Sequence, residues 1–326
     1  MIDVKIKKVY IELTSACNLN CSICFRNSWI DEKQSLMSVE VLGKVYESLA
    51  ELENVETVMF AGMGEPLLHD RICDIVDKVS QLGMKTEIVT NGTLLTSEIA
   101  ECLIKSGLAQ VWVSADDSHM KSSGNDIFVK NINNFNYIRK GKCKLGLTYA
   151  LINPSYEDLK SIQSFGKYIN ADEINISQII PSTLIENLEY NDSLPIGKRG
   201  VDDLFAPTKS RFNYCPFVEE DNVFIKWNGD VVPCMQLLHS SYTYLFKEKR
   251  KVMAYSFGNL FNNSLTTIWI SREYKEFRER VRKFNFPDCT LCNGCDDRKE
   301  NRTDCMYNDM PTCGACLWAQ NIARCP

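Results

Sequence analysis

The 326-residue sequence has no long apolar run and no dense tract of basic residues. No apolar stretch approaches the roughly 18 residues of a membrane-spanning helix, and the first residues, MIDVKIKK, lack the apolar core of a secretion signal. The formal net charge of −5 argues against nucleic acid as the main partner. We therefore expect a cytoplasmic protein with neither a membrane nor a nucleic-acid partner.

Histidine is scarce, with three residues, whereas cysteine is abundant, with fifteen. Without a secretion signal, this excess indicates metal or iron–sulfur chemistry rather than a disulfide framework, and it disfavours zinc sites that mix the two ligand types. Three cysteines fall between positions 17 and 24, and nine between 215 and 325. The others, Cys73, Cys102 and Cys143, stand among helix- or strand-like residues, so we expect them to pack in the core.

Strand-like and helix-like segments alternate along roughly the first 180 residues. The helix-like segments carry apolar residues at helical spacing, as Ile72, Val76 and Val79 do. The strand-like segments are VYIEL (9–13), TVMFAG (57–62), TEIVTN (86–91), QVWVSA (110–115), KLGLTYALI (144–152) and EINISQII (173–180). This pattern predicts an α/β fold of six parallel strands, and periodicity alone allows either an open doubly wound sheet or a partial barrel.

Short polar motifs follow the first four of these strands. A cysteine loop follows the first, GMGEP (62–66) the second, TNG (90–92) the third and SADD (114–117) the fourth. In parallel α/β folds the carboxyl ends of the strands form the functional face, so we expect all four motifs to lie at one edge. An isolated TNG or GEP would usually be only a turn.

The first loop has the pattern Cx3Cx2C, with Cys17, Cys21 and Cys24. It supplies three thiolates, whereas closed zinc sites and ordinary 4Fe-4S sites use four protein ligands, so one metal position stays open. At these residues the sequence resembles the radical S-adenosylmethionine (SAM) superfamily, over roughly residues 8 to 180. The resemblance implies a partial (β/α)6 TIM-like barrel, which we expect at residues 1–180, and a 4Fe-4S cluster that binds SAM.

The resemblance also implies the chemistry. SAM bound to the open iron is cleaved reductively to a 5′-deoxyadenosyl radical, which abstracts a substrate hydrogen, while the protein supplies position and a dry cavity. In GMGEP, a glycine permits close backbone approach, and a carboxylate can accept a hydrogen bond from the SAM ammonium. The polar residues after the third and fourth strands would suit the methionyl part and the ribose hydroxyls. The SAM-binding residues implied are Gly62, Gly64, Glu65, Asn91, Ser114 and Asp116.

Two residues depart from common patterns of the superfamily. Ile23 stands where many members have an aromatic residue, so an aliphatic side chain would cover the adenine edge. Met63 gives the GMGEP form of radical enzymes that methylate ribosomal RNA, but the acidic composition and the cysteine-rich end disfavour that activity. The sequence identifies no catalytic acid or base.

The C-terminal cysteines carry a second resemblance. Cys215, Gly229 and Cys234 form a Cx13Gx4C pattern on a predicted β-hairpin, which resembles the opening of SPASM domains. This resemblance implies two auxiliary 4Fe-4S clusters in a domain at 213–326, after a linker at 181–212. The later spacing departs from the SPASM pattern, so no cysteine is assigned to either cluster, and two zinc ribbons remain an alternative. The nine candidate ligands are Cys215, Cys234, Cys289, Cys292, Cys295, Cys305, Cys313, Cys316 and Cys325.

The final stretch, DCMYNDMPTCGACLWAQNIARCP (304–326), resembles the carboxyl end of radical SAM/SPASM proteins associated with tungsten-containing aldehyde ferredoxin oxidoreductases. This resemblance spans the whole chain and is sharpest in residues 289–326. The resemblance implies that the partner is a tungsten oxidoreductase or its tungstopterin cofactor, that the host is an anaerobe, and that a ferredoxin or flavodoxin donates electrons. Two alternatives stay open: a maturase of a ribosomally made peptide, and a non-catalytic iron–sulfur or zinc scaffold. The first strand begins by about residue 9, so we expect no winged-helix domain of the kind that many peptide maturases carry ahead of the barrel.

Overall fold

The computed structural model describes residues 4–30, 33–116, 126–151, 155–178, 181–184, 197–204, 212–245, 247–292 and 294–320. Six parallel strands form its centre and lie side by side in chain order. They are β1 (Lys8–Ile11), β2 (Thr57–Phe60), β3 (Lys85–Thr90), β4 (Gln110–Ala115), β5 (Lys144–Leu151) and β6 (Glu173–Gln178). A doubly wound sheet would reverse its strand order at a switch point. The sequential order therefore selects the partial barrel.

Helices cover the outer face of this sheet. Their apolar stripes are buried as the sequence predicted, with Ile72, Val76 and Val79 no more than 2% exposed. Side-chain caps fix several helix starts: Ser38 accepts a hydrogen bond from the Val41 N–H, and Ser155 forms a capping box. The barrel helices are α1 (Val39–Ala50), α2 (Ile72–Gln81), α3 (Ser97–Lys105), α4 (Ile127–Arg139) and α5 (Tyr156–Tyr168).

Alternate residues of the parallel strands face the inside of the barrel. Met59, Ala61 and Trp112 form a small apolar layer there, separate from the main core under the helices. Gly146 on β5 makes room for it, because a Cβ at that position would lie 2.2 Å from a Trp112 ring atom. This layer fills part of the barrel interior. Ser114, two residues beyond Trp112, lies on the same side and is exposed.

The C-terminal region extends the same sheet. β8 (Asn222–Ile225) pairs in parallel with β1, and β9 (Asp230–Val232) and β12 (Gly258–Asn259) continue beyond it. The predicted hairpin is confirmed: β8 and β9 meet at a turn where Gly229 adopts a φ of +86°. β10 (Ser241–Leu245) and β11 (Glu248–Val252) form a separate antiparallel pair.

The segment expected to be a linker contributes to the sheet as well. β7 (Gly197–Gly200) pairs antiparallel with β6, at the opposite edge from β8. The short run GKRG lacks the alternation that identifies a strand from sequence. Its backbone hydrogen bonds to β6 create the strand.

Three helices complete the C-terminal region: α6 (Pro216–Glu219), α7 (Leu265–Trp269) and α8 (Arg272–Arg282). The sequence SREYKEFRERVRKF (271–284) predicts a helix whose apolar stripe includes Tyr274, Phe277 and Val281, and these residues are buried. The same pattern predicts that its arginines form a solvated face, which is wrong for Arg278. Its guanidinium lies 3.7 Å from the centre of the Trp269 ring and donates a hydrogen bond to the Trp269 carbonyl oxygen. The cation–π contact allows a charge to be buried on the apolar side of the helix.

Cys143 is buried in the core, as expected. Cys73 packs against the core as expected, but it also forms a disulfide with Cys102 that joins α2 to α3, which the expectation of core packing did not include. The two helices pack side by side and bring together two half-buried thiols that are 29 residues apart in sequence. In the part of the chain described above, no helix has the length and apolar character needed to cross a membrane.

Candidate functional site

The Cx3Cx2C loop begins where β1 leaves the sheet and is fastened by backbone contacts on both sides. The Thr14 hydroxyl accepts a hydrogen bond from the Ala16 N–H and donates one to the Ser35 carbonyl oxygen. The Glu65 N–H donates to the Ala16 carbonyl oxygen over 2.8 Å. An ideal Cβ on Gly64 would lie 2.1 Å from the Thr14 carbonyl oxygen. Glycine at position 64 is therefore required by the approach of GMGEP to the cysteine loop.

The three thiols of this loop lie close enough to influence one another. Burial raises the pKa of the Cys21 thiol, and the nearby thiolate of Cys24 raises it further. Asp116 and Cys17 act in the same direction, whereas the Arg26 guanidinium lowers the pKa. The barrel thus brings together the cysteine loop and the end of β4, which are about 90 residues apart in the printed sequence.

Glu65 is 2% exposed and is held by three protein hydrogen bonds. Its Oε1 accepts from the Thr90 hydroxyl over 2.7 Å and from the Leu67 N–H over 3.0 Å, and its Oε2 accepts from the Asn91 N–H over 2.7 Å. Burial raises the pKa of this carboxyl, while these three donors lower it. A carboxylate has about four acceptor positions, so room for a further donor remains on Oε2. The expected hydrogen bond to the SAM ammonium stays a prediction.

Asn91 connects the third strand to the cysteine loop. Its Nδ2 donates to the Asn18 side chain over 2.9 Å and lies 3.7 Å from Cys17 Sγ. Its Oδ1 accepts from the Thr93 N–H over 3.0 Å. The structure therefore gives Asn91 a role in positioning the loop, in addition to the SAM contact that the sequence predicts.

Gly62 and the last two predicted SAM contacts also lie at this edge. A Cβ on Gly62 would lie 2.6 Å from Glu12 Cγ, so a larger residue there would displace the Glu12 side chain. Ser114 is exposed and Asp116 is half-buried, both at the carboxyl end of β4. Their expected role toward the ribose stays a prediction, and Asp117 of the SADD motif lies outside the described residues.

A buried pair that the sequence analysis missed connects this edge to the C-terminal region. Glu12 is 1% exposed, accepts a hydrogen bond from the Met63 N–H over 3.0 Å, and lies 2.8 Å from His239 Nε2. Trp29 stacks on the His239 ring with a centroid distance of 4.3 Å. A carboxylate inside the apolar run VYIEL was the available signal, since buried charges need partners. Its partner, 227 residues away, could not be identified from spacing.

The C-terminal thiols fall into two groups. The first group consists of Cys215, Cys234, Cys313 and Cys316. Burial raises the pKa of Cys215 to about 12, and the neighbouring thiolate of Cys316 adds to the shift. Burial raises the pKa of Cys313 well above its ordinary range, followed by the effects of the other three thiolates. These four side chains come from distant parts of the sequence and converge.

The second group is Cys289, Cys292 and Cys305, and Cys295 lies between the last two in the sequence. Burial raises the pKa of Cys289 to about 11; Cys292 and Cys305 raise it further, and Arg250 opposes the shift. Cys325 lies outside the described residues, so nothing is said of its surroundings. Within the described ranges, no group of three or more His, Cys, Asp or Glu side chains is arranged to hold a single metal ion.

At four of the cysteines, backbone N–H groups two or three residues later in the chain donate hydrogen bonds to the sulfur. The Leu19 N–H donates to Cys17 Sγ over 3.4 Å. Such donors lower the pKa of three thiols of the first C-terminal group against the larger effect of burial: Phe217 and Val218 act on Cys215, Gln236 and Leu237 on Cys234, and Trp318 and Ala319 on Cys316. Hydrogen bonds of this kind stabilise metal-bound thiolates. The donor set therefore fits iron–sulfur clusters at both cysteine regions.

Comparison with known proteins agrees with this geometry. Residues 11–165 match the radical SAM superfamily, and residues 215–296 match the SPASM iron–sulfur cluster-binding domain. The chain is 29% identical, over 98% of its length and 97% of the relative's, to a tungsten-containing aldehyde ferredoxin oxidoreductase cofactor-modifying protein of Pyrococcus furiosus.

Solved structures show the same fold at low sequence identity. Native anSMEcpe with bound AdoMet gives a TM-score of 0.60 at 16% identity, covering 97% of this chain and 95% of that one. Streptococcus suis SuiB bound to S-adenosylmethionine gives 0.59 at 18% identity, covering 93% and 73%. With its cysteine loop, its barrel and its two sequence matches, the chain is an enzyme with a radical SAM domain over residues 11–165 and a C-terminal SPASM domain over residues 215–296.

Proposed function

We propose that this enzyme takes part in the maturation of a tungsten-containing oxidoreductase or of its tungstopterin cofactor. The observation that carries the proposal is the end-to-end likeness to the Pyrococcus furiosus cofactor-modifying protein, which includes the cysteine-rich C-terminus. The host would be an anaerobe, whose reducing cytoplasm would suit a cysteine-rich protein that uses most of its thiols as cluster ligands.

Cys17, Cys21 and Cys24 would hold a 4Fe-4S cluster with one open iron position. When bound there, cluster and SAM supply reductive cleavage of SAM to a radical that removes a hydrogen atom from the substrate. Gly64 shapes this site by keeping the backbones of GMGEP and the cysteine loop close together, and Gly62 leaves room for the Glu12 side chain.

The chain's own residues prepare this site in two ways. Asn91 and Glu65 connect the ends of β2 and β3 to the cysteine loop, so that strand positions determine loop geometry. The apolar layer around Trp112 fills part of the barrel interior. Apolar side chains inside the barrel exclude water, which would protect a reactive intermediate from side reactions.

We further propose that two C-terminal groups hold one auxiliary cluster each. The first group is Cys215, Cys234, Cys313 and Cys316; the second is Cys289, Cys292, Cys295 and Cys305. The mutual effects of the thiolates on one another's pKa values support the grouping. Cys325 would then be a ninth thiol that neither auxiliary cluster needs as a ligand. Electrons would come from a ferredoxin or flavodoxin.

The test uses anaerobically purified, cluster-loaded enzyme with SAM and a chemical reductant. Formation of 5′-deoxyadenosine is measured with and without the tungsten-free oxidoreductase, and the Cys17→Ala, Cys21→Ala, Cys24→Ala triple variant serves as the control. We expect the apo-oxidoreductase to stimulate 5′-deoxyadenosine formation by at least tenfold and to gain activity afterwards when tungstate is supplied.

Formation of 5′-deoxyadenosine that is indifferent to the oxidoreductase would contradict the proposed substrate while leaving the enzyme class intact. Stimulation by a ribosomally made peptide instead would favour peptide maturation. No cleavage of SAM by the loaded enzyme would leave only a non-catalytic iron–sulfur or zinc scaffold.

A further inference from the structure

The two C-terminal thiol groups lie next to each other. Gly314 stands between Cys313 and Cys316 of the first group, and its carbonyl oxygen accepts a hydrogen bond from the Cys289 N–H of the second group over 3.2 Å. A Cβ on Gly314 would lie 3.1 Å from Cys289 Sγ. The absence of a side chain at this position therefore lets the two groups approach closely.

A buried arginine acts on both groups at once. Arg250 lies on β11, is 4% exposed, and donates from Nε to the Arg298 carbonyl oxygen over 3.0 Å. Burial lowers the pKa of its guanidinium, whereas the thiolates of Cys316, Cys313 and Cys289 raise it. Two of these thiols belong to the first group and one to the second. The guanidinium is thus within electrostatic reach of both.

Arg250 has no carboxylate partner among the residues that the structure describes. Arg298, which is equally buried and sits on the segment between Cys295 and Cys305, is paired with Glu248. A buried cation without a countercharge is strongly unfavourable, so its environment must supply negative charge in another form. The only anionic groups shown to act on Arg250 within the described chain are the thiolates.

We propose that Arg250 is the countercharge shared by the two auxiliary clusters and that it favours the reduced state of each. The proposal rests on the two auxiliary clusters proposed above. A cluster held by four thiolates is anionic, and reduction adds one electron from an external low-potential one-electron donor without making or breaking a bond. A fixed positive charge beside both sites lowers the free-energy cost of that added electron at each of them.

A purely structural role is the competing explanation, since the Arg250 Nε also ties β11 to the segment around Arg298. The two roles differ in what a charge-conserving substitution does. Lysine keeps the charge but loses the planar donor geometry of arginine, whereas glutamine keeps a polar chain of similar reach and loses the charge.

The test is an anaerobic redox titration followed by electron paramagnetic resonance, in the full chain carrying Cys17→Ala, Cys21→Ala and Cys24→Ala so that only auxiliary clusters report. Arg250→Gln and Arg250→Lys are compared with Arg282→Gln. The last variant removes a positive charge from the same domain, at a more exposed ion pair with Asp221. Iron, sulfide and zinc are measured in each preparation.

We expect Arg250→Gln to lower the ratio of reduced to oxidised cluster at a fixed potential about tenfold at both auxiliary sites, which is about 59 mV for a one-electron couple. In Arg250→Lys the midpoint potential of each auxiliary cluster should shift by less than half as many millivolts as in Arg250→Gln. Arg282→Gln should leave both midpoint potentials unchanged. Loading of both clusters in the lysine variant but not in the glutamine variant would also support the proposal.

Several results would overturn it. Full iron content with unchanged potentials in Arg250→Gln would refute the role of Arg250 while leaving the auxiliary clusters in place. A shift at only one cluster would refute the sharing. Equal shifts in both Arg250 variants, or failure of both to load iron, would assign the effect to the shape of the side chain. Zinc in place of iron in the parent chain would remove the auxiliary clusters and this proposal together.

Discussion

Gly64 lies against the backbone of Thr14 and Ala16, where the barrel edge meets the cysteine loop. Its neighbour Glu65 donates its N–H to the Ala16 carbonyl oxygen, so the two segments are as close as backbones can be. A side chain at position 64 would have to separate them, because the atoms it would meet are rigid backbone atoms. The geometry of the three thiols therefore depends on the absence of a side chain at position 64.

We predict that Gly64→Ala weakens SAM binding by at least tenfold and reduces the iron held by Cys17, Cys21 and Cys24. The physical reason is the 2.1 Å approach of the added Cβ to the Thr14 carbonyl oxygen. Equilibrium dialysis of SAM and iron analysis of the loaded enzyme measure the two effects.

Gly43→Ala is the matched control, because a Cβ at Gly43 in α1 meets nothing within 4 Å. It should leave SAM binding unchanged and stabilise the helix by roughly 0.5–1 kcal/mol. Equal SAM affinity in the two alanine variants would mean that the cysteine loop tolerates the displacement.

At the scale of elements, the segment after Cys24 joins the barrel to the C-terminal region. Trp29 forms an isolated bridge with Ser241 and stacks on His239, and the Ile30 N–H donates to the Ser240 carbonyl oxygen. His239 Nε2 in turn lies 2.8 Å from a carboxylate oxygen of Glu12, just after β1, and Glu12 accepts a hydrogen bond from the Met63 N–H. The cysteine loop and GMGEP are thus both connected to residues 239–241.

We predict that Glu12→Gln lowers both stability and SAM affinity, with a loss of about 1–3 kcal/mol in the free energy of unfolding. The amide oxygen of glutamine can still accept from the Met63 N–H, but it carries no charge, and an NH2 group replaces Oε2, the second carboxylate oxygen within reach of His239 Nε2. Anaerobic chemical denaturation and SAM dialysis give the two quantities.

Glu173→Gln provides the comparison, since Glu173 lies at the amino end of β6, on the opposite edge of the barrel, and pairs with Lys198. This variant should keep its SAM affinity. Unchanged SAM affinity in Glu12→Gln would show that the buried pair supports the fold alone.

At the scale of the whole molecule, one sheet runs through the barrel and the SPASM region. β8 pairs in parallel with β1, the strand that leads into the cysteine loop, so the two regions share a continuous hydrogen-bonded ladder. Cys215 and Cys234 flank this part of the sheet. Part of the first C-terminal group is therefore positioned by the same sheet that positions the cysteine loop.

We predict about 12 irons per chain in the loaded wild-type enzyme and about 8 in the Cys17→Ala, Cys21→Ala, Cys24→Ala variant, from one SAM-binding and two auxiliary 4Fe-4S clusters. A Cys292→Ala, Cys305→Ala variant should also hold about 8, because it breaks only the second group. Iron, sulfide and zinc analysis of anaerobic preparations measures these values.

Cys143→Ala is the control, since Cys143 is buried in the barrel core, and it should retain the wild-type iron content. About 4 irons with about 2 zincs in the wild type would make the C-terminal region a zinc scaffold. That result would refute the auxiliary clusters and weaken the proposed link to tungsten enzymes.

The sequence by itself determined the features that depend on local order. Strand and helix periods predicted the β/α alternation, and Cx3Cx2C predicted the open cluster site, because periodicity and ligand spacing are read within a few residues. The hairpin at Gly229 and the buried stripe of α8 were predicted for the same reason.

Only the tertiary structure decided which distant residues meet. Strand order selected the barrel, the convergence of separate segments divided the C-terminal thiols, and packing placed His239 beside Glu12 and Arg250 within electrostatic reach of both thiol groups. The disulfide between Cys73 and Cys102 and the buried Arg278 were missed for the same reason. Such contacts join residues tens to hundreds of positions apart, and their energies depend on burial and on partners that spacing along one chain does not specify.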